Sequence, residues 1–261
     1  MRRFVVTVML CSSLPAYGWG PGGHSLVARL AAAQLTPAAT ARVAEILGPG
    51  TTMASISSWA DQYRRDHPET GHWHYIDIPI DKPHRDMARD CAKGDCIIAK
   101  IADFRKQVVD PAATPEARKE ALMYLVHFLG DMHQPLHCSD NNDKGGNEVK
   151  LNFFGRDSNL HSIWDSGLLG RLPPEDALFA QFSQDLTPKK IRKWRQGSIE
   201  DWAEESHKVA QKVVYGKLPK APTSGQLTIG TDYEHVAHSV IQERLEKAGT
   251  RLAALLNSML Q

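Results

Sequence analysis

Apolar residues recur at helical spacing through 117–129, 199–214 and 236–260, so these stretches read as helices with one face turned to a core. Thr36-Pro37 and Thr114-Pro115 each set a capping hydroxyl before a proline at the first helical position, which places two helix starts. The alternation expected of half-buried strands is confined to 75–80 and 149–154, enough for extended segments or a small ribbon. Gly48-Pro49-Gly50, 140–146, Leu172-Pro173-Pro174 and 217–230 interrupt the pattern, and none looks like an interdomain linker. The expectation is an all-α, single-domain bundle over 19–261. Its last helix, 232–260, has an apolar stripe opposite an Arg/Glu/Lys face, as suits a surface helix packed on that bundle.

The first 18 residues depart from this scheme. Arg2 and Arg3 precede an apolar run over 4–14 and a small-x-small end, Ala16-Tyr17-Gly18, which is the pattern of a secretory signal. Such a run falls well short of the ~20 residues that span a bilayer, so no membrane anchor is expected. Cleavage after Gly18 would place the protein in the periplasm or outside the cell, with Trp19 as a free amine. The segment removes two Arg and no acid, so the balance moves from 31 basic and 30 acidic residues to 29 and 30. Binding polyanions by charge neutralisation usually demands a marked basic excess, so affinity for a nucleic acid would have to come from metals and stacking. In an oxidising compartment the short polar loop Cys91-Ala-Lys-Gly-Asp-Cys96 is expected to close as a disulfide between Cys91 and Cys96. Cys138 is left as a small apolar residue beside His137.

Nine residues are candidate zinc ligands: Trp19 through its amine, His24, Asp61, His74, His127, Asp131, His137, His161 and Asp165. Imidazole and carboxylate without thiolate is the donor set of hydrolytic zinc rather than of structural fingers. His127 and Asp131 are four residues apart, as are His161 and Asp165, and on a helix that step is about 400° and roughly 6 Å, so each pair grips from one face. Pro135 interrupts the helix after Asp131 and redirects His137. His133, about 200° round from Asp131 on a continuing helix, reads as a supporting or surface residue. Upstream, Asp61 sits on a short amphipathic helix and His72-Trp73-His74 in an extended segment. The chain has no Gly-x-Ser-x-Gly elbow and no glycine-rich phosphate loop.

Seven motifs carry a family resemblance: Trp19-Gly-Pro-Gly-Gly-His24, Trp59-Ala-Asp61, His74-Tyr-Ile-Asp77, His127-Phe-Leu-Gly-Asp131, Gln134-Pro-Leu-His137, Gly145-Gly-Asn147 and Asn159-Leu-His161-Ser-Ile-Trp-Asp165. In this order and spacing the chain resembles the zinc-dependent single-strand nucleases of the S1 and P1 type. The resemblance implies the helical phospholipase C/P1 nuclease fold and three zinc ions per chain. Asp61, His74 and His127 would hold the first; the Trp19 amine and carbonyl with His24 the second; Asp131 would bridge the two; His137, His161 and Asp165 would hold the third. It further implies hydrolysis of single-stranded DNA and RNA to 5′-phosphorylated products, and of 3′-nucleotides, by water activated between paired ions. Tyr75 would stack on the base, Asp77 and Asn147 would hydrogen-bond its edge, and Arg64 would face the phosphate. A site assembled within one chain implies a monomer.

Two other readings compete. Zinc-dependent phospholipase C shares an N-terminal Trp, several His and three metals. Against it stand the short interval from Trp19 to His24, the closing Asp165 where Glu is usual, and the base-binding set of Tyr75 and Asp77. A zinc-storage protein would need the ligands but not Tyr75, Asp77 or Asn147.

Overall fold

The computed structural model describes residues 19–220 and 222–261, so the secretory segment expected over 1–18 lies outside it. In chain order the helices are α1 (Pro21–Ala32), α2 (Pro37–Leu47), α3 (Met53–Ile56), α4 (Trp59–Tyr63), α5 (Met87–Asp90), α6 (Ile97–Val109) and α7 (Pro115–Asp131). They continue with α8 (Leu160–Ser162), α9 (Glu175–Asp185), α10 (Pro188–Trp194), α11 (Ile199–Val209) and α12 (Thr231–Met259). Thr36 and Thr114 cap α2 and α7 as expected, accepting from the Ala39 and Ala117 amides, with proline next in line.

Helix α7 is the axis of the molecule. Every residue from Ala121 to Asp131 is buried, so this helix is covered on all sides, by α6, α12, α4, α1 and α2. The surface role expected of the last helix is only half right. Helix α12 packs along α1 and α7, and Arg244 and Arg251, 1% and 4% exposed, turn inward instead of joining a solvated face. The periodic stretch 199–214 divides into α11 and a π-helical turn, Ala210–Tyr215.

Strand structure goes beyond a ribbon. β1 (Lys150–Phe153) and β2 (Arg156–Asn159) form a hairpin closed by Phe154-Gly155, both at positive φ. β3 (Leu227–Ile229) lies parallel to β1 and buries Leu227 and Ile229. It comes from 217–230, which the sequence marks as a break; three residues with a partner some 75 positions away leave no local signal. The segment carrying His72 and His74 is a 3-10 helix, Pro68–His74, rather than extended, with Pro68 fixing its first turn. Extended chain begins at Tyr75, where Ile76 donates to the His137 carbonyl and Ile80 to that of Asp140.

Cys91 and Cys96 form the expected disulfide. Cys138 is buried, its thiol directed at the Met132 carbonyl at 3.4 Å, and burial pushes it up to about 12. Among the described residues no helix is long and apolar enough to cross a membrane.

Candidate metal centre and substrate cleft

The ligand candidates arrive from separate elements: His24 from α1, Asp61 from α4, His74 from the end of the 68–74 turn, and His127 with Asp131 from α7. They meet around the Asp131 carboxylate. Its Oδ2 lies 2.8 Å from His74 Nδ1 and 3.1 Å from His127 Nε2, and its Oδ1 lies 3.2 Å from His24 Nε2. Asp61 Oδ1 stands 3.7 Å from His127 Nε2 and 3.9 Å from His74 Nδ1. His24 stacks on His127 with ring centroids 3.9 Å apart. That approach needs Gly130, because a Cβ there would sit 2.7 Å from His24 Nδ1.

A second gathering holds His137, His161 and Asp165. His161 Nε2 lies 3.3 Å from Asp165 Oδ2. The i,i+4 step between them does not run through an α-helix: α8 stops at Ser162 and a π-helical turn, Ile163–Gly167, carries Asp165. His137 comes from a 3-10 turn, Pro135–Cys138, which is the redirection predicted from Pro135. Trp19 is fully buried, and the next amide, Gly20 N–H, donates to the Asp165 carbonyl at 2.8 Å.

Three sets of donor atoms could each hold a metal ion: His24, His127 and Asp131; Asp61, His74 and His127; and His137, His161 and Asp165. The hydrogen bonding fits that role. His127, His137 and His161 each donate Nδ1–H to a backbone carbonyl, of Ser57, His74 and Gly145, at 2.7, 2.8 and 2.7 Å. This fixes the tautomer and leaves every Nε2 lone pair facing the centre. Those Nε2 atoms have no hydrogen-bond partner, nor do both ring nitrogens of His24, His74 Nε2, Asp61 Oδ1 and Asp131 Oδ1. A buried polar atom left unpaired costs about 1–3 kcal/mol, and eight of the thirteen such atoms among the described side chains are here. Burial also holds His137 and His161 down to about 3 and about 4, and lowers His24 and His74. Neutral imidazole is the ligating form. For His127 burial acts in the same sense, but the carboxylates of Asp131 and Asp61 outweigh it and raise the ring to about 9.

Beside the second gathering opens a cleft of about 280 Å³ whose wall brings together Arg64, Tyr75, Asp77 and Asn147, all four non-ligand candidates, with His137 and His161. Arg64 also reaches Asp61, Nη2 to Oδ1 at 3.3 Å. Tyr75 hydroxyl is 2.8 Å from His72 Nδ1. Asp77 opens to solvent on one side, yet desolvation by the cleft and then the Asp140 carboxylate push its carboxyl up to about 6. A larger cleft of about 390 Å³ at the start of α1 also reaches Asp165, but it carries neither an imidazole nor an aromatic ring.

The roles of several residues here escaped the sequence reading. Asp140 and Lys144 line the cleft from the 140–146 break. Gln134 donates Nε2 to Asp165 Oδ1 at 2.6 Å while its Oε1 accepts from the Leu136 amide, so it fixes a carboxylate that burial otherwise pushes well above its usual range. Of the supporting and surface roles open to His133, its full burial favours the first. It donates Nδ1–H to Leu129 O and accepts at Nε2 from Arg251, while Arg244 donates to the His133 carbonyl.

A sequence model of the S1/P1 nuclease family matches residues 19–261. Nuclease P1 of Penicillium citrinum is 33% identical over 268 residues, covering 92% of this chain and 97% of its own. Nuclease S1 of Aspergillus oryzae is 30% identical over 273 residues, 92% and 91% of the two chains. Endonuclease 2 of Arabidopsis thaliana is 29% identical over 280 residues, 97% and 94%.

Proposed function

Because the chain belongs to the S1/P1 nuclease family, we propose that it hydrolyses phosphodiester bonds of single-stranded DNA and RNA to 5′-phosphorylated products and removes phosphate from 3′-nucleotides, with three zinc ions. The observation that carries this reading is the set of eight buried, unpaired polar atoms in the two gatherings, the second of which borders a cleft walled by Tyr75, Asp77 and Asn147. In it Asp61, His74 and His127 hold one ion, His24 and the Trp19 main chain another with Asp131 between them, and His137, His161 and Asp165 the third. Removal of residues 1–18 frees the Trp19 amine, since an amide nitrogen is a poor ligand. The protein is then a secreted or periplasmic monomer.

Bound zinc supplies Lewis acidity toward phosphoryl oxygens and acidifies water near neutral pH. The chain's own residues do the rest. Arg64 offers its guanidinium to the phosphate from the cleft wall, next to Asp61. Tyr75 presents a ring for stacking, a contact worth about 1–3 kcal/mol per base and tolerant of sequence. Asp77 and Asn147 address the base edge, which in a duplex is already paired; this is the source of single-strand selectivity. No serine chemistry competes. Ser139 donates to His207 Nδ1 at 2.7 Å, but both are fully buried and His207 Nε2–H is committed to the Lys82 carbonyl.

The test is to incubate the purified, processed protein with single-stranded DNA, duplex DNA, RNA, a 3′-nucleotide and phosphatidylcholine, with and without chelator. Chelator-sensitive cleavage of the unpaired substrates with 5′-phosphate ends is expected. Cleavage that survives metal removal, or headgroup release without any nucleic-acid cleavage, would overturn the reading.

A further inference from the structure

Helix α10 carries a charge pattern that the cleft does not use. Over 189–195 the chain reads Lys-Lys-Ile-Arg-Lys-Trp-Arg, five cations and no acid, in a protein whose formal net charge is only +1. Lys190 is tied back, 3.5 Å from Glu246 and over the Trp194 ring. Lys189, Arg192, Lys193 and Arg195 are exposed and have no ion-pair or hydrogen-bond partner for their side chains among the described residues. Arg195 and the half-buried Arg105 of α6 share a cleft of about 350 Å³, where Glu200 is the acid present.

Helix stability does not account for this cluster. Cations in a last turn complement the helix dipole, which covers Arg192 and Lys193. Lys189 stands in the first turn, where a cation is unfavourable, and it faces Lys193 four residues on and Arg192 three on, like-charge spacings that destabilise. The helix is held by other means: the Thr187 cap, Pro188, and the Trp194 carbonyl accepting from Arg251 at 2.9 Å. An unpaired concentration of cations on one face is the electrostatic footprint of a polyanion site. A membrane surface fits less well. Interfacial helices present apolar residues outward, whereas the exposed large hydrophobics are Met87, Val109, Phe154 and Val236, none on α10.

We infer that α10, with the Arg105–Arg195 cleft beside it, is an exosite for the phosphate backbone of a polynucleotide strand, separate from the base cleft and indifferent to sequence. The inference rests on the nuclease reading above. Arg251 and His133 stand between α10 and the turn after Asp131, and no residue of α10 lines the base cleft, so α10 lies outside the ligand cluster and a strand must extend beyond the cleft to reach it. Short substrates do not use it.

The test compares the parent with a variant carrying Lys189→Gln, Arg192→Gln, Lys193→Gln and Arg195→Gln, on a long single-stranded polymer and on a 3′-mononucleotide, over a range of salt. Four lost phosphate contacts should raise KM for the polymer about tenfold at low salt and flatten the slope of log affinity on log salt by up to roughly 3, with mononucleotide turnover unchanged. A charge-preserving variant, Lys189→Arg with Lys193→Arg, should match the parent. An unaltered polymer KM and salt slope, or equal losses on both substrates, would overturn the inference. So would loss of binding to phosphatidylglycerol vesicles with polymer kinetics intact. Fluorescence anisotropy with labelled polymer reads the exosite even if the parent cleaves nothing, a result that would sink the nuclease reading instead.

Discussion

The two ligand gatherings are built in opposite ways. His24, Asp61, His127 and Asp131 project from helices α1, α4 and α7, and their positions follow from helix packing, with Gly130 setting how closely α1 approaches. His137, His161 and Asp165 stand on a 3-10 turn, a three-residue helix and a π-turn, and are held one by one, His137 and His161 by donating to His74 O and Gly145 O and Asp165 by accepting from Gln134. Only the second gathering borders the cleft. Among the imidazoles of the first gathering only His127 has a backbone tether, to the Ser57 carbonyl. A centre at the substrate's edge sits on irregular backbone, so each side chain needs its own.

The contrast is broken most forcefully at Asp131, the carboxylate shared by His24, His74 and His127. On the proposed three-zinc reading, Asp131→Asn should empty the pair of sites around it and cut turnover by more than about a hundredfold, beyond the 10–100-fold typical of losing a mere supporting partner. Metal analysis should still find the third ion. If all ions leave together, the gatherings are one unit and the contrast fails. Gln134→Leu acts on the other half: affinity of the third site should fall about 10–100-fold in a chelator competition, with the pair still loaded. A loss shared equally by all sites would contradict the one-tether-per-ligand account.

The smallest effect probes the layer beneath both. Burial would raise Glu205, but Arg244 and Arg251 outweigh it and hold it down to about 2, against an ordinary 4.5. A carboxylate lowered in the folded state contributes stability above its unfolded value and loses it as pH falls toward the folded one. Glu205→Gln should therefore cost about 1–3 kcal/mol at pH 7, and thermal melts of parent and variant should converge as pH drops from about 4.5 toward 2. A gap that stays constant across that window would place the contribution of Glu205 elsewhere than in its charge.

How much of this is legible in the sequence follows the same division. His127 and Asp131 announce themselves by spacing because α7 is a regular helix, and Pro135 marks the turn to His137. His161 and Asp165 have the same spacing, yet the backbone between them is a π-turn, a distinction of one hydrogen-bond register that residue types do not encode. Tyr75, Asp77, Asn147 and Arg64 were found through the family resemblance, the first three inside its motifs; their meeting on one wall is visible only in the structure. Arg244 and Arg251 were misplaced on a solvated face, since a charged stripe reads the same whether it meets water or a half-buried Glu205 and the buried His133. Near-neutral overall charge likewise concealed α10, because a sum says nothing about where charges collect.

The unpaired atoms around Asp131 make the surroundings part of the fold. Eight buried polar atoms of the two gatherings have no partner among the described residues, and on the proposed reading the ions supply it. On the proposed zinc reading, each tenfold change in free ion shifts the folding equilibrium by about 1.4 kcal/mol per site. The protein's lifetime in a given medium then depends on that medium's mineral content as well as on its temperature.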